Sequence, residues 1–313
     1  MIARPGRGAW LAGTGALIGT MSLGGRPASA QSDAAVRIAG ASTEGLCEAY
    51  YAEELGLFKR HGLNADVRVL PTAAPIAPAI ASGDLHIGAG NALQVGTAHA
   101  HNIPFVVVAT AEVHDKRFQN SAVVVAKQSP ITSPRDLGGK SVAVSTLNGL
   151  EALAAIALID QAGGDVSTVK FVEMGPLLVT DAIVTGRVDA GVLPEPMLSA
   201  AKDRTRSIGS GDDAIGAHTV QTVWYALRPW LDANKDAARR FAAAIYAAGD
   251  WATANPEKAA VVLHKYILIN EPRAYGRFST KQDVAGMQAV FDAGAKYKFL
   301  PQVYAADFVW DGT

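Results

Sequence analysis

Two serine-threonine pairs have the residue types and the spacing to contact one ligand. Ser42-Thr43 follows the apolar segment 36–39 and Ser145-Thr146 follows the apolar segment 142–144, so the pairs lie 103 residues apart. Each pair precedes a helical pattern, which places it on a loop from a strand to a helix. Helix N-termini carry unpaired N–H groups and a partial positive charge. Such loops favour a ligand with an anionic or strongly accepting end, although the same residue types also serve as ordinary helix caps.

Other polar residues fall at similar places in the pattern. Asn91 and Asn148 stand at predicted helix starts, while lysine and arginine are scarce at the predicted strand ends. Glutamates at or just after strand ends are Glu44, Glu112, Glu151 and Glu195. Carboxylates accept hydrogen bonds, so they fit an organic ligand with a donor group, such as an amino sulfonate or an amino-bearing heteroaromatic ring. Acids are also favourable in the first turn of any helix, which is the simpler explanation for Glu44 and Glu151.

Trp224 and Tyr225 lie on a predicted strand, where alternation directs one side chain towards a cleft and the other towards the core. Trp224 can offer a stacking platform there, although a core or hinge aromatic explains it more simply. The candidate ligand-binding residues are therefore Ser42, Thr43, Glu44, Asn91, Glu112, Ser145, Thr146, Asn148, Glu195 and Trp224. His99 and His101, at i and i+2, point in different directions on a helix. We predict no metal site, no cofactor and no catalytic residue.

A longer repeat contains these positions. The segment AIASGDLHIG at 79–88 recurs as AIVTGRVDAG at 182–191, again with an offset of 103 residues. Each copy predicts a helix that ends at a glycine and is followed by a strand. Gene duplication and two independent units of one fold class both explain this repeat. Both explanations predict two α/β lobes.

The N-terminal segment has the pattern of a secretory signal peptide. Arg4 and Arg7 precede the apolar run 9–23, and Ala28-Ser29-Ala30 forms a cleavage site. We expect cleavage near Ala30 and a periplasmic product. An arginine pair is missing, which favours the general secretory route over the twin-arginine route. The only cysteine is Cys47, so the sequence predicts neither a lipid anchor at the cleavage site nor an internal disulfide.

The charge of the chain argues against two classes of partner. Without the three arginines of the first thirty residues, 25 basic residues face 29 acidic ones, and no later stretch approaches eighteen consecutive apolar residues. This balance does not favour nucleic acid, an anionic membrane surface or membrane insertion. We expect a monomer that meets a small organic ligand.

The periodicity predicts alternating strands and helices in two lobes. We expect lobe I to comprise 31–115 and 221–313, and lobe II to comprise 116–220, with the first crossing at the charged segment 112–117 and the return on a strand over 219–227. The segment 207–216 is expected to be a polar, glycine-rich connection. Other predicted strands are 36–39, 65–70, 85–89, 104–110, 122–126, 141–144, 169–172 and 188–193. Predicted helices are 44–55, 74–82, 148–161, 177–185 and 195–202, with others starting near 91, 236 and 256.

Six short segments in a fixed order give the chain a family resemblance. They are LGLFKRHGL at 55–63, IASGDLHIG at 80–88, SPI at 129–131 with DLGGK at 136–140, GRVDA at 186–190, PEP at 194–196 and ANPE at 254–257. Together they resemble the substrate-binding proteins of ABC importers in the nitrate, taurine and sulfonate group, which also includes thiamine-pyrimidine binders. The resemblance covers residues 35 to 260.

The resemblance implies a two-lobe periplasmic-binding-protein fold of type II, in which each lobe is a doubly wound, mostly parallel α/β sheet. It also implies hinge closure on a small organic ligand and delivery to ABC permease subunits. Two departures leave the ligand open between a sulfonate or taurine-like molecule and an amino-heteroaromatic one. Pro194 stands where the family often has an aromatic residue, and 145–148 reads STLN where glycine and small hydroxyls are common.

Two alternatives share this architecture. The fungal thiamine-pyrimidine synthase resembles these binders but carries a cysteine-rich motif, whereas this chain has one cysteine and lacks a nucleophile elbow, a phosphate loop and an HExxH string. We therefore expect a binding protein rather than an enzyme. A periplasmic sensor module for a membrane kinase has the same physical requirements as a transport binder.

Overall fold

In the computed structural model, the described residues are 35–41, 46–117, 119–195, 197–266 and 277–313. The expected signal peptide and its cleavage site lie outside them. The strands are β1 Val36–Ala41, β2 Ala65–Leu70, β3 Ile87–Asn91, β4 Phe105–Thr110, β5 Glu112–Asp115, β6 Ser121–Ala126, β7 Ser141–Val144, β8 Lys170–Glu173, β9 Ala190–Pro194, β10 Thr205–Gly209, β11 His218–Val220, β12 Thr222–Leu227 and β13 Arg277–Phe278.

The helices alternate with these strands along the chain. They are α1 Glu48–Glu54, α2 Leu57–Arg60, α3 Ile76–Ser82, α4 Ala92–Ala100, α5 Leu150–Gln161, α6 Pro176–Val184, α7 Met197–Ala200, α8 Gly211–Ile215, α9 Arg228–Ala233, α10 Lys235–Ala254, α11 Pro256–Tyr266 and α12 Val284–Lys296. Within the described residues, no helix is both long enough and apolar enough to cross a membrane.

Two five-stranded sheets share one strand order. The first sheet runs β2-β1-β3-β12-β4 and the second runs β8-β7-β9-β6-β10. In each, three consecutive strands are parallel, and a further strand, β12 in the first sheet and β6 in the second, lies antiparallel beside them. Buried residues on both faces of both sheets contact helices. We call the first sheet with α1–α4 and α9–α12 the first lobe, and the second sheet with α5–α8 the second lobe.

The repeat in the sequence corresponds to one packing contact that occurs in both lobes. A Cβ added at Gly88 in β3 would lie 2.2 Å from Cγ2 of Ile76 in α3. A Cβ at Gly191 in β9 would lie 2.5 Å from Cγ1 of Val179 in α6. Both members of the second contact are 103 residues beyond those of the first. Glycine at these two positions therefore lets each helix lie directly on its strand.

The two crossings between the sheets run side by side. After β4 the chain continues as β5 before it enters β6, and it returns through β11 before it enters β12. Strands β5 and β11 are antiparallel partners, with Val113 opposite Val220, and β13 extends the pair to a three-stranded sheet. A short paired ribbon thus joins the lobes.

Some predicted elements differ from the observed ones. The segment 207–216 is not a plain connection, because it contains the end of β10 and all of α8. The physical reason is tertiary: a Cβ at Gly211 would lie 2.6 Å from the carbonyl carbon of Ala154, so glycine there lets α8 lie against the backbone of α5. The predicted strand over 219–227 is divided at Gln221 into two strands, and the helix predicted over 195–202 shrinks to α7. The predicted start of the first helix at residue 44 lies outside the described residues.

Candidate functional site

Most of the predicted site residues that the structure describes lie at or just after the ends of β3, β7 and β9. Ser42, Thr43 and Glu44 lie outside the described residues, so the first serine-threonine pair stays a prediction. Its counterpart follows β7, where Ser145 is half-buried and Thr146 and Asn148 are exposed. The Ser145 N–H donates to Oε2 of Glu151 at 2.9 Å. The loop after β7 is therefore fastened to the first turn of α5.

Two predicted residues serve as helix caps. Oδ1 of Asn91 accepts a hydrogen bond from the N–H of Gln94 at 2.8 Å and caps α4. The carboxylate of Glu195 accepts from the N–H of Ser199 at 3.2 Å and from its hydroxyl at 2.6 Å. These contacts account for both residue types without a ligand. A role in binding for either residue stays a prediction.

Trp224 belongs to the buried core of the first lobe. Its side chain is fully buried, and its ring meets the ring of Phe241 edge-on with centroids 5.5 Å apart. The ring therefore presents no open face to a stacking ligand in this structure. Its buried indole N–H lies next to the carboxyl group of Glu48 and lowers the pKa of that carboxyl against the larger effect of burial. The two groups nevertheless form no hydrogen bond of normal length and angle.

Four acidic residues from both lobes and the ribbon lie close to one another. We call Glu48, Glu112, Glu151 and Asp212 the carboxylate cluster. Glu48 is in the first turn of α1, Glu112 begins β5, Glu151 is in the first turn of α5, and Asp212 is in α8. Electrostatic interactions join Glu48 to Glu112, Glu112 to Asp212, and Asp212 to Glu151. The cluster thus reaches from the first lobe across the ribbon to the second.

Hydrogen bonds hold two of these carboxylates at the crossing. The backbone N–H of Glu112 donates to Oγ1 of Thr222 at 2.9 Å, and Oε1 of the Glu112 carboxylate accepts from Nδ2 of Asn120 at 2.8 Å. Oδ2 of Asp212 accepts from the hydroxyl of Ser121 at 2.5 Å. Asn120 and Ser121 lead into β6, so the chain segment that enters the second lobe positions both carboxyl groups.

Burial dominates the electrostatics of the cluster. Only 1% of Glu48 and 6% of Asp212 is exposed, and both carboxylate oxygens of Glu48 lack a hydrogen-bond partner among the described residues. Burial raises the pKa of Glu48 to about 8, with Glu112 adding to the rise. Burial and the charge of Asp212 raise the pKa of Glu112 to about 7. The pKa values of Asp212 and Glu151 are also raised, again chiefly by burial.

No basic side chain compensates the cluster within the described part of the chain. The lysines and arginines found there in ion pairs contact other acids. The buried His114 lowers the pKa of Asp212, and its Nε2 lies 2.8 Å from Oδ1 of Asp213. A cavity of about 200 Å³ adjoins this histidine, lined by His114, Lys116, Gln119, Ser210 and Asp213.

Sequence reasoning found Glu112 and Glu151 but missed Glu48 and Asp212. Glu48 had a usable signal, since it interrupts the otherwise apolar segment 46–52, and an acid in a buried stripe needs a partner. Asp212 had none, because it lies in a polar segment that looks like a loop. Cys47 is fully buried and not disulfide-bonded.

Comparisons with known proteins agree with this architecture. A family model described as NMT1/THI5 like matches residues 46–259. The taurine-binding periplasmic protein of Escherichia coli is 25% identical over 201 residues, which are 64% of this chain and 61% of that protein. This chain thus matches less than two thirds of that relative's length.

Solved structures extend the likeness to the whole fold. The periplasmic aliphatic sulphonate binding protein SsuA from E. coli superposes with a TM-score of 0.72 at 20% identity, covering 89% of this chain and 92% of that one. The ligand binding component of an ABC-type import system from Staphylococcus aureus, solved with zinc bound, gives 0.73 at 12% identity, covering 88% and 96%. The chain has the two-lobe periplasmic-binding-protein fold and belongs to the NMT1/THI5-like family.

Proposed function

We propose that this protein is the exported solute-binding component of an ABC importer. It captures a small organic ligand, sulfonate or taurine-like or amino-heteroaromatic, between its lobes and passes it to transmembrane permease subunits. The observation that carries this proposal is the carboxylate cluster, because polar groups from both lobes converge where the connecting strands cross. Relatives named as periplasmic taurine-binding and sulphonate binding proteins support it.

Hinge closure is the mechanism that this geometry supports. The paired strands β5 and β11 are the hinge, and the lobes comprise 31–115 with 221–313 and 116–220. Glu48 lies on the first lobe and Glu151 on the second, so a ligand contacts both groups only when the lobes are closed. A ligand shifts a conformational equilibrium by its difference in affinity for the two states. Binding therefore favours the closed form.

The proposed site of action is the periplasm. The signal peptide directs the chain there, where it acts as a monomer and has no catalytic activity. The chain binds neither nucleic acid nor membrane, in keeping with its weakly acidic balance.

Ligand discovery and shape measurement test the proposal together. Protein purified without dialysis is analysed by native mass spectrometry for a retained small molecule, and a panel of sulfonates and aminopyrimidines is screened by thermal unfolding. A ligand is expected to raise the Tm and to lower the radius of gyration in small-angle X-ray scattering. Turnover of a panel compound, or a Tm and radius unchanged by every compound, would contradict the proposed function.

A further inference from the structure

We propose that the ligand is an organic cation, and that the carboxylate cluster binds its protonated amine or amidinium group. The inference rests on the proposed solute-binding function and narrows its ligand class. The relatives described above include a sulphonate binding protein, whose ligand class is anionic. The groups that line the crossing in this chain favour the opposite charge.

The crossing has an unbalanced negative charge when its carboxyl groups are ionised. Glu48, Glu112, Glu151 and Asp212 interact in sequence, and within the described residues no lysine or arginine pairs with any of them. Buried carboxylates without a counter-charge are strongly unfavourable. The groups facing them are His114 and Asp213 at Asp212, Tyr246 at Glu48, and neutral hydroxyl or amide donors. A bound cation supplies the missing positive charge.

Beside Glu48 lies a second buried polar group whose hydrogen-bonding capacity is poorly satisfied. The indole N–H of Trp224 is fully buried and close enough to the Glu48 carboxyl to lower its pKa, but the two groups form no hydrogen bond of normal length and angle. Buried polar groups in folded proteins are nearly always hydrogen-bonded. A ligand that places a donor on Glu48 and an acceptor near Trp224 satisfies both groups at once. This favours a molecule with a cationic donor and an adjacent acceptor over a simple sulfonate.

Binding of a cation to these carboxyl groups is coupled to proton release. Burial raises the pKa of Glu112 to about 7 and that of Glu48 to about 8, so both carboxyl groups are partly protonated near neutral pH. A cation favours the ionised form of a neighbouring acid. Each protonated carboxyl that accepts the cation therefore releases one proton to solvent. Affinity for a cation should rise as the pH increases from 6 to 8.

Two sets of matched probes test the charge of the ligand. The first is benzamidine, benzamide and benzenesulfonate, and the second is 1,4-diaminobutane, 1,4-butanediol and butanesulfonate. Within each set the shape is similar and the charge changes from positive to neutral to negative. At millimolar concentration, benzamidine or 1,4-diaminobutane is expected to raise the Tm, while the neutral and sulfonate members of its set leave it unchanged.

Isosteric variants test whether the cluster is responsible. Titration calorimetry of the binding cation is compared between the unmodified protein, Glu112→Gln, Asp212→Asn and the exposed control Glu257→Gln. Because each variant removes a charge-assisted hydrogen bond to the cation, Glu112→Gln or Asp212→Asn should weaken binding about ten- to hundredfold. Glu257→Gln, which removes the same charge from the exposed surface of α11, should keep the affinity within about twofold.

A second readout separates a binding role from a structural one. Removing an uncompensated buried charge should leave the Tm of the unliganded variants equal to or above that of the unmodified protein. Calorimetry in buffers of different ionisation enthalpy should show proton release on binding, and this release should decrease in Glu112→Gln.

The outcomes distinguish the inference from the function on which it rests. Stabilisation by the sulfonates alone would overturn the cation inference and leave the solute-binding function standing. Cation binding that is unchanged in both Glu112→Gln and Asp212→Asn would also overturn it. If none of the probes binds and native mass spectrometry finds no retained ligand, both proposals fail.

Discussion

The two lobes share a strand order but differ in how their cores are built. The first lobe buries large aromatic side chains against its sheet, and the largest fully buried ones are Trp224, Tyr50, Tyr51, Phe241, Phe291 and Phe308. The buried hydrophobic clusters of the second lobe consist of valine, alanine, leucine and isoleucine. The long helices α10 and α12 pack on the first sheet and supply much of this difference.

One repeated unit thus has two physical roles in this molecule. Aromatic side chains bury about 150–250 Å² each and dominate core energetics. We therefore expect the first lobe to be more stable than the second. The second lobe buries smaller side chains and exposes Leu177 and Leu178 on α6. All tryptophans of the described part, at 224, 230, 251 and 310, lie outside the second sheet and its helices. Tryptophan fluorescence therefore reports on the first lobe.

The largest expected effect comes from a large-to-small change in the aromatic core. Phe241→Ala removes ring contacts to Phe58 and Trp224, whose centroids lie 6.0 and 5.5 Å away. It should lower the free energy of unfolding by about 3–5 kcal/mol. Urea unfolding followed by tryptophan fluorescence is the measurement, with far-UV circular dichroism reporting both lobes.

The comparison in the second lobe is Ile159→Val, a smaller deletion, which should lower the free energy of unfolding by about 0.5–1.5 kcal/mol. It should move the circular dichroism transition more than the fluorescence transition. Identical shifts of both probes in both variants would show that the lobes unfold as one unit, which would contradict a difference in their stability.

The repeated glycine contact offers a direct comparison at equivalent positions. Gly88→Ala places a methyl group 2.2 Å from Ile76 and 2.8 Å from Ile80, whereas Gly191→Ala meets Val179 at 2.5 Å and Ile183 at 3.3 Å. Overpacking of this kind costs about 1–3 kcal/mol, and Gly88→Ala should lie at the upper end. Urea unfolding measures both variants. Gly175→Ala, which meets nothing within 4 Å, is the control; a larger loss in Gly191→Ala than in Gly88→Ala would contradict the prediction.

The carboxylate cluster predicts a pH dependence centred on the first lobe. The Glu48 carboxyl has an ordinary pKa of 4.5 and a folded-state pKa of about 8, so between these values the folded protein holds more protons than the unfolded chain. The free energy of unfolding should therefore fall as the pH rises through this interval. Glu48→Gln should reduce the fall between pH 5 and 8 by about 1–3 kcal/mol.

Urea unfolding at a series of pH values checks this expectation. Glu151→Gln, the counterpart at the second lobe, should reduce the fall less, because its half-buried carboxylate accepts a hydrogen bond from Ser145. Glu257→Gln should leave the pH profile unchanged. A stability that rises with pH over this range in the unmodified protein would show that the Glu48 carboxyl is ionised in the folded state.

The smallest expected effect compares a helix cap in each lobe. Asn91 caps α4 with a 2.8 Å bond to the Gln94 N–H, while Ser210 caps α8 with a 3.5 Å bond to the Asp213 N–H. Asn91→Ala should lower the free energy of unfolding, measured in urea, by about 1 kcal/mol, and Ser210→Ala should lower it by about half as much. Asn91→Asp retains a capping oxygen and should restore stability. If Asn91→Ala weakens ligand binding without a loss of stability, Asn91 is a ligand contact rather than a cap.

Local patterns predicted most of the elements, because these patterns report on immediate neighbours. Strand β2 matches the predicted bounds 65–70, and Asn91 stands at the start of α4 as expected. Failures occurred where a distant segment decided the outcome. Helix α8 exists because Gly211 fits against the backbone of Ala154, which is 57 residues earlier in the chain. No window of neighbouring residues contains that contact.

The sequence by itself predicted two α/β lobes, because the segment 79–88 recurs at 182–191 with an offset of 103 residues. It also determined the acidic character of the strand ends. Only the tertiary structure decided which acids meet. Glu48 and Asp212 are 164 residues apart, and the paired crossing strands bring both beside Glu112. Electrostatic interaction depends on distance in space and on burial, and neither quantity can be read from the order of residues alone.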